Sequence, residues 1–291
     1  MPQIFLILLL LLPLRAAAQM ADFSYDPTRV EVDVELALMV DVSRSMTAHE
    51  LEIQRHGYAA ALTSEDVLGV ISEGLLGRIA VAYVEWAGPG NHRVVVDWTT
   101  IGTPQEAQRV AAVLMDNRPY GMQRTSISAA LDYAGRFIAE NQYEGLRKVI
   151  DVSGDGPNNA GDPVTPARDR VLAQGITING LPLMTDEGVG SRWTVTDLDA
   201  YYRDCVIGGQ GAFVVAVHDW AEFASAVRRK LVMEIAGLAP APAPSARPTG
   251  FLPGDLPAAR IVPVAGTAPG ESYDCLVGEK TWDNFRRAWE P

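Results

Sequence analysis

The sequence predicts an α/β fold, with a mostly parallel central sheet and helices on both of its faces. Short β-rich apolar segments alternate along the chain with amphipathic segments of helical period. Alternation of this kind is typical of parallel strands that are joined by helices. Several apolar segments also lack a polar face, as strands covered on both sides do. Pairs of capping residues precede several of the helical segments.

Six segments are predicted to be strands. The first begins with alternating polar and apolar residues, which predicts a half-exposed start, and ends in an apolar run. We expect that run to lie in the centre of the sheet. The second and third are separated by a loop that contains two glycines and a proline, which predicts an antiparallel hairpin at an edge. The six segments are residues 32–40, 78–86, 93–98, 148–153, 176–183 and 212–217.

Seven segments are predicted to be helices. Thr47 with Glu50 and Thr103 with Glu106 match the capping-box pattern, which marks a helix N-terminus. Pro104 then occupies the first helical position, where its missing N–H costs nothing. The helices are expected at residues 47–62, a short stretch after Ser64, and residues 104–115, 126–139, 165–173, 196–203 and 219–236. Together the strands and helices predict one domain over residues 30–236.

The first 18 residues have the pattern of a cleaved signal peptide. An apolar run at residues 4–14 is followed by Ala16, Ala17 and Ala18, the small-residue pattern of a cleavage site. The run is too short for a spanning helix, which needs about 20 residues. No Lys or Arg precedes it, which departs from the usual pattern and leaves an uncleaved anchor as the alternative. We therefore expect an exported protein, periplasmic or secreted, with no membrane span after cleavage.

The C-terminal part of the chain is predicted to be a linker followed by a short tail. Residues 237–272 are rich in Pro and Ala, a composition that cannot bury a core. The tail, residues 273–291, contains Cys275, Trp282, Phe285 and Trp289, and we expect these aromatic residues to pack back on the domain, with a short exposed binding element as the alternative. Cys205 is the other cysteine of the chain. In an exported protein the two predict one disulfide, and two free buried thiols are the alternative.

The net charge of −12 limits the classes of partner. An acidic surface repels nucleic acid and anionic lipid head groups, so neither is an expected partner. The sequence has no CxxC pair and no His/Cys cluster, so zinc is not indicated.

Oxygen-bearing side chains follow two of the predicted strands. Asp41, Ser43 and Ser45 come directly after the first strand, and Asp155 follows the strand at residues 148–153. Thr125 lies in the loop before the helix at residues 126–139. Ligands in open parallel sheets bind beyond the carboxyl ends of the strands, so we expect these five side chains to converge.

The chemistry of these five residues predicts a site for a hard divalent cation. Carboxylate and hydroxyl oxygens suit Mg²⁺, Ca²⁺ or Mn²⁺. Two aspartates balance the charge of the ion, and the hydroxyls add none. Mg²⁺ usually keeps several waters in such a site, and an incoming carboxylate can replace one of them. The alternative is structural, because Asp-Gly and Ser-x-Ser also form turns and helix caps.

These residues resemble the metal-ion-dependent adhesion site (MIDAS) of the von Willebrand factor A (vWA) family, over about residues 31–236. The family has Asp-x-Ser-x-Ser after its first strand, which Asp41, Ser43 and Ser45 match. It has a Thr in a loop before a helix, matched by Thr125, and an Asp-Gly after its fourth strand, matched by Asp155 and the glycine after it. The resemblance implies a Rossmann-like vWA domain. The overall layout is similar to that of exported bacterial proteins known only as a domain of unknown function.

The resemblance also implies roles for the site residues. Ser43, Ser45 and Thr125 would contact the metal directly, and Asp41 and Asp155 would often act through water. One departure lies before Thr125, where many family members have Gly-Gly and this chain has Gln123 and Arg124. Arg124 would either crowd the site or add a positive group for an anionic ligand.

The function that follows is binding rather than catalysis. We expect a bound divalent cation, Mg²⁺ with Ca²⁺ or Mn²⁺ as alternatives, to coordinate an acidic residue of a partner protein. A structural exported protein with a vestigial site is the second hypothesis. A metal-assisted hydrolase is the third, but it would need a nucleophile and a general base beside the metal. The sequence has no Gly-x-Ser-x-Gly elbow and no phosphate-binding loop, so we do not expect an enzyme.

Overall fold

A seven-stranded sheet forms the centre of the molecule. The structure, a computed structural model, describes residues 27–116, 121–185, 195–238, 261–263 and 273–289. In chain order the strands are β1 (Val30–Asp41), β2 (Ile79–Trp86), β3 (His92–Ile101), β4 (Tyr143–Gly154), β5 (Thr177–Pro182), β6 (Phe213–Val215) and β7 (Ile261–Pro263). Their order across the sheet is β3-β2-β1-β4-β5-β6-β7.

Most neighbouring strands of this sheet are parallel. The pairs β1–β2, β1–β4, β4–β5 and β5–β6 are parallel, and β2–β3 is the antiparallel edge hairpin. The predicted mostly parallel sheet with an edge hairpin is therefore confirmed. The opposite edge adds a second antiparallel pair, β6–β7, from three residues within the predicted linker. The predicted signal peptide, residues 1–18, and most of that linker lie outside the described residues.

Helices cover both faces of the sheet, as predicted. The helices are α1 (Ala48–Leu62), α2 (Glu65–Ser72), α3 (Pro104–Asp116), α4 (Ile127–Ala139), α5 (Val164–Leu172), α6 (Leu198–Tyr201), α7 (Phe223–Ala236) and α8 (Val277–Trp289). Helices α1, α2, α3 and α7 pack in one apolar cluster, and α4, α5 and α6 pack in the other. A π-helical turn, Tyr202–Val206, continues α6.

The first strand explains why the sheet has two covered faces. Its alternate residues Leu36 and Leu38 enter the α1/α7 cluster, whereas Ala37 and Met39 enter the α4/α5 cluster. The expected half-exposed start of β1 is wrong, because the strand is buried from its third residue onward. Glu35 is buried there, and its carboxylate accepts hydrogen bonds from the amide of Asn141 (2.6 Å) and from a backbone N–H.

An ionic cluster lies inside the core between α7 and β4. Lys230 of α7 is fully buried, with its Nζ 2.6 Å from Asp151 Oδ1 of β4 and in contact with the Glu234 carboxylate. Asn179 of β5 donates a 2.9 Å hydrogen bond to Glu234. Burial is the main cause that raises the pKa of Glu234, to about 7, and the nearby Asp151 charge adds to it. Pairing is what makes burial of these charges tolerable.

The tail is joined to the domain by a disulfide between Cys205 and Cys275, as predicted. Their Cα atoms are 5.5 Å apart. Helix α8 begins two residues after Cys275 and lies against the loop that follows β4, where Asn158 Nδ2 donates a 2.7 Å hydrogen bond to Glu279 Oε1. The Tyr273 hydroxyl donates to an Asp197 carboxylate oxygen at 2.9 Å.

None of the helices in the described ranges has both the length and the apolar character that a membrane span requires.

Candidate metal centre

The loop after β1 places the first group of candidate ligands at the carboxyl end of the sheet. Asp41 is the last residue of β1 and is fully buried. Its Oδ1 accepts a 2.7 Å hydrogen bond from the backbone N–H of Ser43, which turns the chain sharply at the strand end. The backbone N–H of Met46 then bonds to the carbonyl of Ser43 at 3.0 Å, so the turn closes before α1 begins.

Hydrogen bonds link this turn to the loop after β4. Ser43 Oγ and Ser45 Oγ are 3.0 Å apart, and Ser45 Oγ donates a 2.8 Å hydrogen bond to Asp155 Oδ1. The contact exists because β1 and β4 are neighbouring parallel strands, whose carboxyl ends meet at one edge of the sheet. Four of the five predicted ligands, Asp41, Ser43, Ser45 and Asp155, thus form one connected group.

The fifth predicted ligand, Thr125, lies in a loop that runs beside the β1 turn. The backbone N–H of Met122 donates a 2.8 Å hydrogen bond to the carbonyl of Val42, so the two loops are adjacent. Thr125 is buried, and its backbone N–H donates to Asn159 Oδ1 at 3.0 Å. Thr125 is therefore held against the loop that carries Asp155.

Two asparagines that the sequence analysis missed organise this arrangement. Asn159 receives the Thr125 N–H and donates its own backbone N–H to the Thr125 carbonyl at 2.9 Å. Asn158 is fully buried and accepts a 3.0 Å hydrogen bond from the backbone N–H of Ser128, near the start of α4. The available signal was the Asn-Asn pair itself, three residues after Asp155, because side-chain amides often bond to loop backbone.

Negative charge is concentrated at the centre of the site. Burial raises the pKa of Asp41 well above its usual range, and the nearby Asp155 charge raises it further. Burial also raises the pKa of Asp155, to about 6, although the hydrogen bond from Ser45 acts to lower it. Asp41 Oδ2 is buried and has no hydrogen-bond partner in the described part of the chain. A Cβ on Gly154 would lie 2.9 Å from that oxygen, so a glycine is needed there.

These observations fit a divalent cation. A cation beside Asp41 would supply the partner that Oδ2 lacks, and its positive charge would oppose the effect of burial, which raises the pKa of both carboxyl groups. Within the described ranges no group of three or more His, Cys, Asp or Glu side chains is placed to bind a metal. The candidate centre is different in composition, since it combines two carboxylates with hydroxyls, the ligand type of hard cations.

Arg124 adopts an unusual conformation beside the site. Its φ of 66° lies in the left-handed region, which costs a residue with a Cβ about 1–2 kcal/mol. The neighbouring Gly88 donates a 3.0 Å backbone hydrogen bond to the Gln123 carbonyl, and a Cβ on Gly88 would lie 2.7 Å from that oxygen. The guanidinium carbon of Arg124 lies 4.5 Å from the ring centroid of Trp282 in α8.

Residues 31–239 of the chain match the family described as "Protein of unknown function (DUF1194)". The match covers more than half of the sequence. The chain belongs to the DUF1194 family. All five candidate ligands lie within the matched residues of this DUF1194 protein. A search of curated proteins found no match.

Solved structures similar to this DUF1194 protein include proximal thread matrix protein 1 (PTMP1) from the mussel byssus. It is 15% identical, covers 72% of this chain and 49% of the mussel chain, and has a TM-score of 0.52. The pilus adhesin SpaC from Lactobacillus rhamnosus GG is 12% identical and also has a TM-score of 0.52. The aligned region includes 72% of this chain and 31% of the SpaC chain. At these identities the likeness shows the fold alone.

Two further structures are named after features of the predicted family. A von Willebrand factor type A protein from Catenulispora acidiphila is 15% identical over 70% of this chain and 43% of its own, with a TM-score of 0.48. A PTMP1 structure described as having a zinc-occupied MIDAS motif is 16% identical over 72% and 49%, with a TM-score of 0.47. The predicted vWA-type fold is confirmed, as a fold alone, by the sheet topology and by the two structures with TM-scores above 0.5, PTMP1 and SpaC. This DUF1194 protein spans less than half the length of each of these four solved chains.

Proposed function

We propose that this protein is a metal-ion-dependent binding module, in which a divalent cation coordinates an acidic residue of a partner protein. One observation supports the proposal above the others. Asp41 has a buried oxygen without a partner, within a group of hydroxyls and a second carboxylate. Two carboxylates of raised pKa in one small site are unfavourable without a cation.

The ion we propose is Mg²⁺, with Ca²⁺ or Mn²⁺ as alternatives. Ser43, Ser45 and Thr125 would bind it directly, and Asp41 and Asp155 would balance its charge. Because the three direct ligands are uncharged hydroxyls, the bound ion would stay electrophilic and would keep water in its coordination shell. A carboxylate from a partner would then replace a metal-bound water.

We propose binding without turnover. The hydrogen bonds of the site join hydroxyls, carboxylates and asparagine amides, which are suited to hold an ion and to order loops. A hydrolase would need a nucleophile with a base to activate it. The sequence lacks the known elbow and phosphate-loop motifs, which supports the same reading.

We also propose that the protein acts outside the cytoplasm, in the periplasm or as a secreted protein. The disulfide between Cys205 and Cys275 supports this location, because disulfides persist in oxidising compartments. The predicted signal peptide over residues 1–18 points the same way.

Metal titration tests the proposal directly. Protein that has been stripped with a chelator would be titrated with Mg²⁺, Ca²⁺ and Mn²⁺ by calorimetry, with Asp41→Asn measured in parallel. A saturable heat that the variant loses would support the site. If the wild-type protein and Asp41→Asn gave the same heats with all three ions, the proposal would be overturned and a structural protein with a vestigial site would be favoured. Release of product from hydrolase substrates, dependent on the same metal, would favour an enzyme instead.

A further inference from the structure

Two exposed arginines lie on the loops that carry the candidate ligands. Arg44 stands between Ser43 and Ser45, and Arg124 directly precedes Thr125. The two loops are bridged in parallel at Ser43 and Met122, which places them about 5 Å apart at that point. Both arginines are exposed, whereas the ligands beside them are buried or half-buried.

Neither of these arginines is paired with a carboxylate in the part of the chain that the structure describes. This matters in a chain whose net charge is −12, because the surface as a whole repels an acidic ligand. Two unpaired positive groups at the edge of the site would reduce that repulsion where the ligand binds.

Arg124 is also held in place rather than left free. Its guanidinium stacks on Trp282 at 4.5 Å, a cation–π contact that restricts a side chain of otherwise high rotamer freedom. Its left-handed backbone is a local cost that a glycine would avoid. Arg124 nevertheless has this conformation directly before the candidate ligand Thr125, where its guanidinium is ordered by Trp282.

The helix that carries Trp282 is anchored at several points. The disulfide joins Cys275 to Cys205, and Glu279 accepts a hydrogen bond from Asn158. Gly278 packs so tightly on the loop after β4 that a Cβ there would lie 2.1 Å from the Asn158 carbonyl oxygen. Helix α8 therefore spans the loop of Asp155 and the loop of Thr125, and it fixes the position of Arg124 from outside the domain.

We infer that Arg44 and Arg124 form a basic rim around the metal site, and that this rim selects a peptide segment with several neighbouring carboxylates. This inference rests on the proposed function. The metal binds one carboxylate of the ligand. The arginines bind carboxylates on either side of it, and Trp282 positions the guanidinium of Arg124. The ligand class is thus an acidic stretch of polypeptide rather than an isolated Asp or Glu.

Two synthetic peptides with blocked ends provide the test, Gly-Glu-Glu-Glu-Gly and Gly-Gln-Glu-Gln-Gly. Both present one central glutamate to the metal, but only the first presents flanking carboxylates. Their dissociation constants would be measured at saturating Mg²⁺ and again with excess chelator. We expect the wild-type protein to bind the triple-glutamate peptide more tightly, and we expect chelator to abolish binding of both.

The arginine variants separate the rim from the metal site. We expect Arg124→Gln to weaken binding of the triple-glutamate peptide about fivefold and Arg44→Gln about threefold, with little change for the single-glutamate peptide. Arg136→Gln, which removes an exposed positive charge near the other end of α4, is the matched control and should change neither affinity. The Mg²⁺ affinity of every variant is measured alongside.

Trp282 and the backbone of Arg124 give two further checks. Trp282→Ala should weaken binding of the triple-glutamate peptide and leave binding of the single-glutamate peptide unchanged. Added to Arg124→Gln, it should weaken binding no further. Arg124→Gly relieves the left-handed strain, so this variant should unfold at a higher temperature and yet bind the triple-glutamate peptide more weakly. That pair of results would exclude misfolding as the cause.

The possible outcomes are distinguishable. If the ratio of the two peptide affinities is the same in the wild type, Arg44→Gln and Arg124→Gln, the basic rim is wrong although metal-dependent binding stands. If neither peptide binds the wild-type protein in Mg²⁺, the proposed function and this inference both fail. A ratio that falls in both arginine variants and not in Arg136→Gln supports the rim.

Discussion

Thr125 and Asn159 exchange two hydrogen bonds, from the Thr125 backbone N–H to Asn159 Oδ1 at 3.0 Å and from the Asn159 N–H to the Thr125 carbonyl at 2.9 Å. The pair joins the loop before α4 to the loop after β4. The distance between the neutral candidate ligand Thr125 and the charged candidate ligand Asp155 is thus set by an asparagine that is not itself a candidate ligand. Residues that orient ligands in this way strongly affect metal affinity.

Asn159→Ala is expected to weaken Mg²⁺ binding about 10-fold, because the Thr125 loop would no longer be fixed against the Asp155 loop. Calorimetric titration measures the change. Gln123→Ala, in the same loop but exposed, serves as the control and should bind Mg²⁺ as the wild type does. Equal affinities for Asn159→Ala and the wild type would contradict this positioning role.

If Mg²⁺ binds as proposed, it should raise the melting temperature of the wild-type protein, and Asp41→Asn should abolish that rise. The amide oxygen of the variant can still accept the hydrogen bond from the Ser43 N–H, while the buried negative charge is gone. We therefore expect the metal-free variant to melt at the wild-type temperature or above it. In the wild type, Mg²⁺ at 100 times its dissociation constant would add about 2.7 kcal/mol to the free energy of unfolding.

The control for that measurement is Asp66→Asn, which removes an exposed carboxylate of α2 and should leave the Mg²⁺ effect intact. A clear Mg²⁺ shift in Asp41→Asn would mean that the ion binds elsewhere.

The stabilising effect of Mg²⁺ should grow as pH rises through about 6. In the folded metal-free protein the pKa of Asp155 is raised from 3.8 to about 6, mainly by burial. The folded state therefore binds more protons than the unfolded state between those values, and its stability falls as pH rises across them. Mg²⁺ binds the ionised carboxylate, so the stabilisation that Mg²⁺ adds should increase as the pH rises. Melting temperatures with and without Mg²⁺ from pH 4 to 8 would show both slopes, and parallel curves would refute the assignment.

Lys230→Met should destabilise the fold by about 3–5 kcal/mol at neutral pH, because it leaves Asp151 and Glu234 buried without a counter-charge. Urea denaturation measures the loss. At pH 5 the loss should be smaller, since Glu234, whose pKa is raised to about 7, would be protonated. The triple change Lys230→Met, Asp151→Asn and Glu234→Gln removes all three charges and should recover much of the stability. A triple variant as unstable as the single one would show that packing, not charge, sets the effect.

Replacing both Cys205 and Cys275 by Ala should free the tail while the sheet stays folded. The two cysteines are 70 residues apart in the chain. By restricting the unfolded chain, a disulfide across that separation would add at most about 4 kcal/mol to the free energy of unfolding. We expect amide exchange in α8 to become fast and exchange in β1 and β4 to change little. Unchanged protection of α8 would mean that Glu279, Tyr273 and their neighbours hold the tail without the disulfide.

Much of the sheet, and the meeting of Asp41, Ser43, Ser45 and Asp155 at one edge of it, could be predicted from sequence because both depend on local pattern. An apolar run marks a central strand, and the polar residues that end two such strands must meet if the strands are neighbours. Asp41 and Asp155 were found in this way although they are 114 residues apart in the chain. The five residues as a metal site, and the domain boundaries, stay predictions.

The features that the sequence did not reveal depend on distant contacts. Lys230 and Glu234 have the spacing of a solvent-exposed helix pair, and only the approach of Asp151 explains why they are buried. Helix α8 lies against Asn158, 121 residues earlier in the chain, and no local pattern predicts that contact. Strand β7 has only three residues, too few to show a period.

The disulfide also constrains the order of events during biosynthesis. At about 5–20 residues per second, Cys275 leaves the ribosome several seconds after Cys205. In that interval β6 and α7 are synthesised and can complete the sheet and its cover. Cys205 is fully buried in the finished molecule, where Tyr273, Cys275 and Val277 of the tail pack against the same apolar cluster, so its thiol is more accessible before the tail docks. Oxidation therefore belongs to the last stage of maturation, and a thiol-trapping pulse during synthesis should label Cys205 in chains that stop before residue 275.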